Sequence, residues 1–244
     1  AKIIVSLGAD FLGTWISPAE FTKQYAQGKK INEKHPEMSK HIQFESVASI
    51  TGSNADEKIL HKPSDSGNIA ASLLAALSGG AVTITDAAVK KGIEKTAKTL
   101  NAHKGEALVV SGSNDVNVQI VVNAINEAIG ANGKTIDWSV PYVSYQGVDA
   151  DFAKLVDEMN AGSVSNLFIY SANPAYTWVD TNKFISGLKK VKTVVSFSGI
   201  NDETTQLSKY VIPSHHYLES WGDAEIKAGY FSFIQPTINP LFKT

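Results

Sequence analysis

Two stretches of this chain repeat one pattern: SLGADFLGTW at residues 6–15 and SANPAYTW at 171–178. Each follows an apolar, strand-like run (KIIVSL before the first, NLFIY before the second), passes through a bend, and closes on Thr-Trp. A strand that ends in a Gly or Asn-Pro bend and runs into a helix is one half of a βαβ unit. Finding that unit twice restricts the chain to folds in which strands and helices alternate.

The rest of the sequence keeps to the pattern. Lys2–Leu7 reads as a buried strand. Ser17-Pro18 with Glu20 then opens a helix: a cap, a proline in the first turn, and an acid near the positive helix end. That helix is expected to run to about Gly28, with a loop over 29–39 and a strand over His41–Glu45. Thr51–Asp56 then reads as a polar loop leading into Ile59-Leu60, matched in the second half by Asp202–Thr205 leading into KYVIPSHH. The run SGNIAASLLAALSGG is a helix closed by Gly79-Gly80, and Thr85/Asp86 caps an amphipathic one. Further strands are expected at Glu106–Ser111, Thr135–Trp138, Asn166–Ser171 and Thr193–Phe197. Helices are expected at Asp115–Ile129, Asp149–Met159 and Thr181–Leu188. This alternation predicts an α/β protein of two Rossmann-like lobes with mainly parallel sheets. Lys104-Gly105 marks the expected boundary, giving a first lobe over 1–104 and a second over 105–244. The second ends in a partly extended segment, and the chain as a whole reads as a piece of a longer subunit.

Composition removes several chemistries. There is no cysteine, so these residues supply no disulfide, thiolate zinc site, iron–sulfur ligand or thiol nucleophile. A formal charge of −2 provides no general attraction to nucleic acid, and no apolar run reaches bilayer-spanning length. No Gly-x-Ser-x-Gly elbow frames Ser111, Ser113 or Ser171, which argues against a hydrolase. HHYLESWGD gathers His215, His216, Glu219 and Asp223. Neighbouring histidines in extended chain project apart, so a hydrogen-bonded loop is favoured over a metal site.

The bends admit two readings on pattern alone. Backbone N–H groups and a helix start at a parallel strand's carboxyl end suit a pyrophosphate. The same residues also punctuate ordinary βα turns. Trp15 and Trp178, at matching places, either anchor the bends to the core or wall a cofactor cleft or subunit interface.

Taken together, NLFIYSANPAYTWVD, VVSFSGINDETTQLSKYVIPSHHYLESWGD and FESVASITGSNADEKILHKPSD resemble stretches of the molybdopterin oxidoreductases, the DMSO-reductase and formate-dehydrogenase family. The likeness runs over nearly the whole chain. It implies that Gly8, Asp10, Glu45, Asn173, Pro174, Asp202 and Glu219 occupy positions that hold a molybdopterin guanine dinucleotide between the lobes. The departures point elsewhere. Glu45-Ser46-Val47 stands where the family has Asp-Pro-Arg, so the carboxylate is kept and the arginine lost. The first bend lacks Asn-Pro, and no cysteine or serine ligand for molybdenum is evident.

The wording SLGADFLGTW, ITGSNAD, NPAYTW and HHYLESWGD is most similar to the B-subunit family of alternative complex III, a bacterial quinol-oxidising complex. In that family the domain is retained without its cofactor. The resemblance implies a scaffold with no catalysis or cofactor of its own. It implies iron–sulfur clusters elsewhere on the polypeptide, and as partners the other subunits of a membrane-bound respiratory complex, on the periplasmic side of the inner membrane and without direct membrane insertion. The alternatives are a fragment of an active pterin-dependent oxidoreductase and a simple nucleotide-binding module. Two stretches are expected to serve contact: NEKHPEMSKH, which overlaps the basic GKKINEKH, and the aromatic group Tyr230, Phe231, Phe233 and Ile234.

Overall fold

The computed structural model describes residues 1–31, 33, 36–143 and 147–242. Asn32, Lys34 and His35 of the NEKHPEMSKH stretch lie outside the described residues. The chain divides into two compact units, Ala1–Ser139 and Val140–Thr244.

The first unit is built on β1 (Ile3–Leu7), α1 (Pro18–Lys29), β2 (Lys40–Glu45), α2 (Ile50–Ser53) and β3 (Glu57–Leu60). It continues with α3 (Ser66–Leu77), α4 (Ala87–Ala102), β4 (Ala107–Ser111) and α5 (Val116–Ala128). The four strands form one parallel sheet in the order β3-β2-β1-β4. Strand residues alternate between faces. Ile3, Val5, Ile42, Phe44 and Val109 therefore share one face and pack against Ile69, Leu73, Ile93, Leu100 and Ile125 from the helices. The opposite face of β2 presents a buried polar row, His41, Gln43 and Glu45. Asp86 and Asp115 cap α4 and α5 through their side chains, as their sequence positions imply. Ser17 precedes α1 without a side-chain cap, leaving Pro18 to set the helix start.

The second unit contains α6 (Asp149–Asn160), β5 (Asn166–Tyr170), α7 (Pro174–Thr177), α8 (Thr181–Leu188), β6 (Thr193–Phe197), α9 (Glu203–Gln206) and β7 (Tyr210–Val211). β5, β6 and β7 form a parallel sheet in sequence order. Its core joins Val156 and Met159 of α6 to Ile169, Phe184, Leu188 and Val194. β8 (Gly222–Lys227) and β9 (Tyr230–Ile234) make an antiparallel hairpin, and all five residues of β9 are exposed.

Three expectations need correction. The lobe boundary lies at Ser139/Val140, not at residue 104, because β4 returns to pair with β1 from Ile3↔Ala107 to Leu7↔Ser111. Thr135–Trp138 is not a strand. The chain there closes a tight turn on the Ala131 carbonyl, leaving only an Asn132↔Ile136 bridge. The segment after Glu45, read as a polar loop, contains α2 and then β3, where Ile59 packs on the core as a partly buried edge residue.

Candidate functional site

The two bends repeat in space as they do in sequence. Each follows a five-residue strand and begins with a residue of positive φ, Gly8 at 71° and Ser171 at 48°. Serine adopts this conformation at some cost, whereas glycine does so freely. The N–H of Gly8 donates to the Phe44 carbonyl at 2.8 Å, and that of Ser171 to the Phe197 carbonyl at 3.0 Å. Each bend is thereby tied to the neighbouring strand.

Two residues further on, the repeat becomes a hydrogen-bonded knot. Asp10 Oδ1 accepts from the Thr51 N–H at 3.0 Å and from the Thr51 hydroxyl at 2.7 Å. The Thr51 hydroxyl oxygen in turn accepts from the Leu12 N–H at 2.9 Å. In the second unit Asn173 Oδ1 accepts from the Thr204 N–H at 3.2 Å and its hydroxyl at 2.7 Å. Thr204 Oγ1 accepts from the Ala175 N–H at 2.9 Å. Both threonines sit at the second position of a four-residue helix, α2 or α9. The residue capping each helix, Ser49 or Asp202, accepts an N–H three places on, from Gly52 or Thr205. Thr51 and Thr204 are fully buried. Sequence reasoning did not single them out. The shared signal was a capping residue followed two places later by threonine, in each polar loop.

These bonds determine the electrostatics. Burial works to raise the Asp10 carboxyl, but the hydrogen bonds from Thr51 and Thr14 outweigh it and hold Asp10 below the ordinary aspartate range. Its second oxygen lies against Gly13, where an added Cβ would come within 2.2 Å. Asn173 donates from Nδ2 to Glu203 Oε2 at 2.6 Å, which draws the Glu203 carboxyl below its usual value.

The remaining candidates are also turned inward. Glu45 is buried: Oε2 accepts from the Ser49 hydroxyl at 2.6 Å. Oε1 faces Lys58 Nζ at 3.1 Å, an ion-pair distance without hydrogen-bond geometry. Both oxygens press on Gly52, where a Cβ would fall 2.2 Å away. Asp202 is the helix cap already described. Glu219 Oε2 pairs with His215 Nδ1 at 3.3 Å, and its N–H donates to the His216 carbonyl at 2.8 Å. His216 accepts the Leu218 N–H on Nδ1 at 3.3 Å and packs on Tyr217. No group of three or more metal-ligating side chains occurs among the described residues.

Pro174 starts α7 and is buried beside Phe184, Trp178 and Phe152 along a cavity of about 450 Å³. Trp178 meets Phe152 edge-on at 4.8 Å, and Trp15 meets Phe21 at 5.7 Å. Both tryptophans are half-buried; Trp15 packs within the first unit, and Trp178 packs on Phe152 while also lining the cavity.

A pterin dinucleotide held through these side chains would need acceptors and donors turned outward. Asp10, Glu45, Asn173, Asp202 and Glu219 instead spend theirs inside the chain. Releasing Asp10 or Asn173 to a ligand would leave a fully buried threonine and a backbone N–H short of partners, at roughly 1–3 kcal/mol per stranded group. The donor set therefore does not fit a dinucleotide held by those side chains.

The family model for molybdopterin oxidoreductase matches residues 26–244. Among solved structures, acetylene hydratase from Pelobacter acetylenicus is similar, with a TM-score of 0.63 and 13% identity. The match covers 98% of this chain and 45% of that one, so the chain spans less than half of that enzyme's length. At such identity the likeness is one of fold. A search of the curated proteins finds no match.

Proposed function

The chain belongs to the molybdopterin oxidoreductase family, and from that premise we propose that it is a scaffold domain that has given up the cofactor. Its setting in this reading is the iron–sulfur B subunit of a quinol-oxidising complex of the alternative complex III kind, on the periplasmic side of a bacterial inner membrane. One observation carries the reading: the side chains that the resemblance assigns to a dinucleotide are engaged in the two threonine knots, the Glu45 pocket, the α9 cap and the His215 pair. The loss of arginine after Glu45 and the absence of cysteine agree with it. No helix among the described residues is long and apolar enough to cross a membrane. On this reading attachment runs through partner subunits, and electron transfer runs through centres outside these residues.

The test is elemental and pterin analysis of the native full-length protein. The expected result is neither molybdenum nor tungsten, and no pterin released on denaturation. Stoichiometric molybdenum with bound pterin would refute the proposal and restore the reading of an active oxidoreductase fragment.

A further inference from the structure

The internal repeat also exposes a difference between the units, at the outer edge of each first strand. In unit one the edge of β1 is taken by β4, and β4's own outer edge is sealed by side chains. Thr135 Oγ1 donates to the Ala107 carbonyl at 2.7 Å. Asn126 receives the Val109 N–H on Oδ1 at 3.0 Å and donates from Nδ2 to its carbonyl at 2.8 Å. Gln119 Nε2 donates to the Ser111 carbonyl at 3.3 Å. Every second residue along the strand is thus capped, which is how an unused sheet edge is kept from pairing.

β5 corresponds to β1, but among the described residues no strand lies beyond it. Ser171 N–H bonds to Phe197 and the Ser165 carbonyl accepts from Thr193, so the odd-numbered residues of β5 face β6. Parallel pairing alternates, and so the N–H and C=O groups of Asn166, Phe168 and Tyr170 point to the open edge. Among the described residues no side chain caps them. Two of the three side chains there are aromatic and exposed, Phe168 by 66% and Tyr170 by 73%, and Asn166 at the start of the strand is exposed as well. The cavity of about 450 Å³ runs along this edge, walled by Leu155 of α6, Phe168, Tyr170 and Trp178.

We propose that the β5 edge is a strand-addition site, which takes an extended, apolar, β-branched polypeptide segment from outside these 244 residues, in parallel, as β1 takes β4. The established β1–β4 interface supplies the template. The added strand would satisfy the three outward N–H and three outward C=O groups through its backbone, and its inward side chains would fill the cavity. This holds whether or not a pterin is bound, so its failure leaves the scaffold reading untouched.

The probe is the peptide EALVVSG, the sequence of residues 106–112 that contains β4. Amide exchange on the whole protein, with and without peptide, reads the edge residue by residue. Strand addition should slow exchange at Asn166, Phe168 and Tyr170 by about tenfold or more at saturation, and leave Leu167 and Ile169, already bonded to β6, unchanged. Phe168→Pro removes one outward N–H at an edge position, where proline is tolerated, and should abolish the protection. Phe168→Lys keeps the backbone and serves as the second variant should the proline disturb the fold; its charge should weaken the peptide's effect. Unchanged exchange at millimolar peptide overturns the proposal. So does protection spread over the cavity residues without alternation, the pattern of a small apolar ligand. Protection that grows with protein concentration in the absence of peptide overturns it in favour of a second copy.

Discussion

Replacing Thr51 with valine tests the knot at the first bend, because valine keeps the shape and removes only the hydroxyl. That hydroxyl makes a 2.7 Å bond to the Asp10 carboxylate and receives the Leu12 N–H at 2.9 Å. Hydrogen bonds to a charged group are worth about 1.5–3 kcal/mol, and a buried N–H left without a partner costs about 1–3 kcal/mol. The two losses share one atom, so Thr51→Val should destabilise the first unit by roughly 3 kcal/mol. Thr204→Val breaks the same geometry around a neutral amide, Asn173, and should cost the second unit about 2 kcal/mol. Urea unfolding followed through resolved amide signals near Gly8 and Ser171 reads each unit separately.

Acid sharpens the comparison. The Asp10 carboxyl is held below its ordinary value of 3.8, so the stability it contributes is present above that value and is lost as pH falls through the folded one. The Thr51→Val penalty should therefore shrink as the pH drops below 3.8, while the Thr204→Val penalty stays level, since Asn173 has no proton to gain. Penalties under about 0.5 kcal/mol for both variants, within the range of inert surface changes, would show that the knots do not hold the bends. A Thr51→Val penalty that grows with acid would refute the charge argument.

Two further outcomes follow from the same structure. Burial holds the His41 imidazole below its ordinary value of 6.5, so stability should fall as pH drops from 6.5 toward the folded value, by up to about 1.4 kcal/mol per pH unit; a Tm–pH series should show that slope in the wild type and its loss in His41→Gln, and equal slopes would reject it. On the β8–β9 hairpin, where Phe233 is 81% exposed, the proposed scaffold role predicts that Tyr230→Ser with Phe233→Ser leaves the fold intact and weakens capture of the iron–sulfur region or partner subunits which that role implies at least tenfold, about 1.4 kcal/mol; undiminished binding would remove this face as a contact surface.

The α/β class and the doubled bend were legible because Gly8, Asn173-Pro174 and the Thr-Trp pairs are local signals, read within one turn of chain. The pairing of β4 with β1 was not, since sequence order restarts at Glu106 while sheet order turns back to the first strand. The inward turn of Glu45 was hidden for a related reason. Its place at the end of β2 was foreseen, but its direction depends on Ser49 and on the bare α-carbon of Gly52, a few residues away along a second helix. Thr51 and Thr204 are dozens of residues from the bends they lock, and only folding brings them there.

Where the second bend has Asn173-Pro174, the first has Asp10-Phe11, and the difference has a physical counterpart. Asp10 Oδ1 accepts from Thr51 the same two bonds that Asn173 Oδ1 accepts from Thr204, so carboxylate and amide hold the knot alike. Phe11 takes the place of Pro174, and there the units part. Phe11 is buried against Tyr25 and His41, with ring centroids 5.9 and 5.4 Å away, and so joins the bend to α1 and to the polar row of β2. Tyr25, its hydroxyl pushed up to about 12 by burial and by Asp56, donates to the Asn54 carbonyl just beyond α2. Phe11 therefore ties the first bend into a network that extends from α1 to the loop after α2. Pro174 is buried too, but it borders the cavity beside β5. A bend committed to packing cannot also open to a ligand without loosening that network. The first bend is thus packed into its unit, while the second borders an apolar opening at its strand edge.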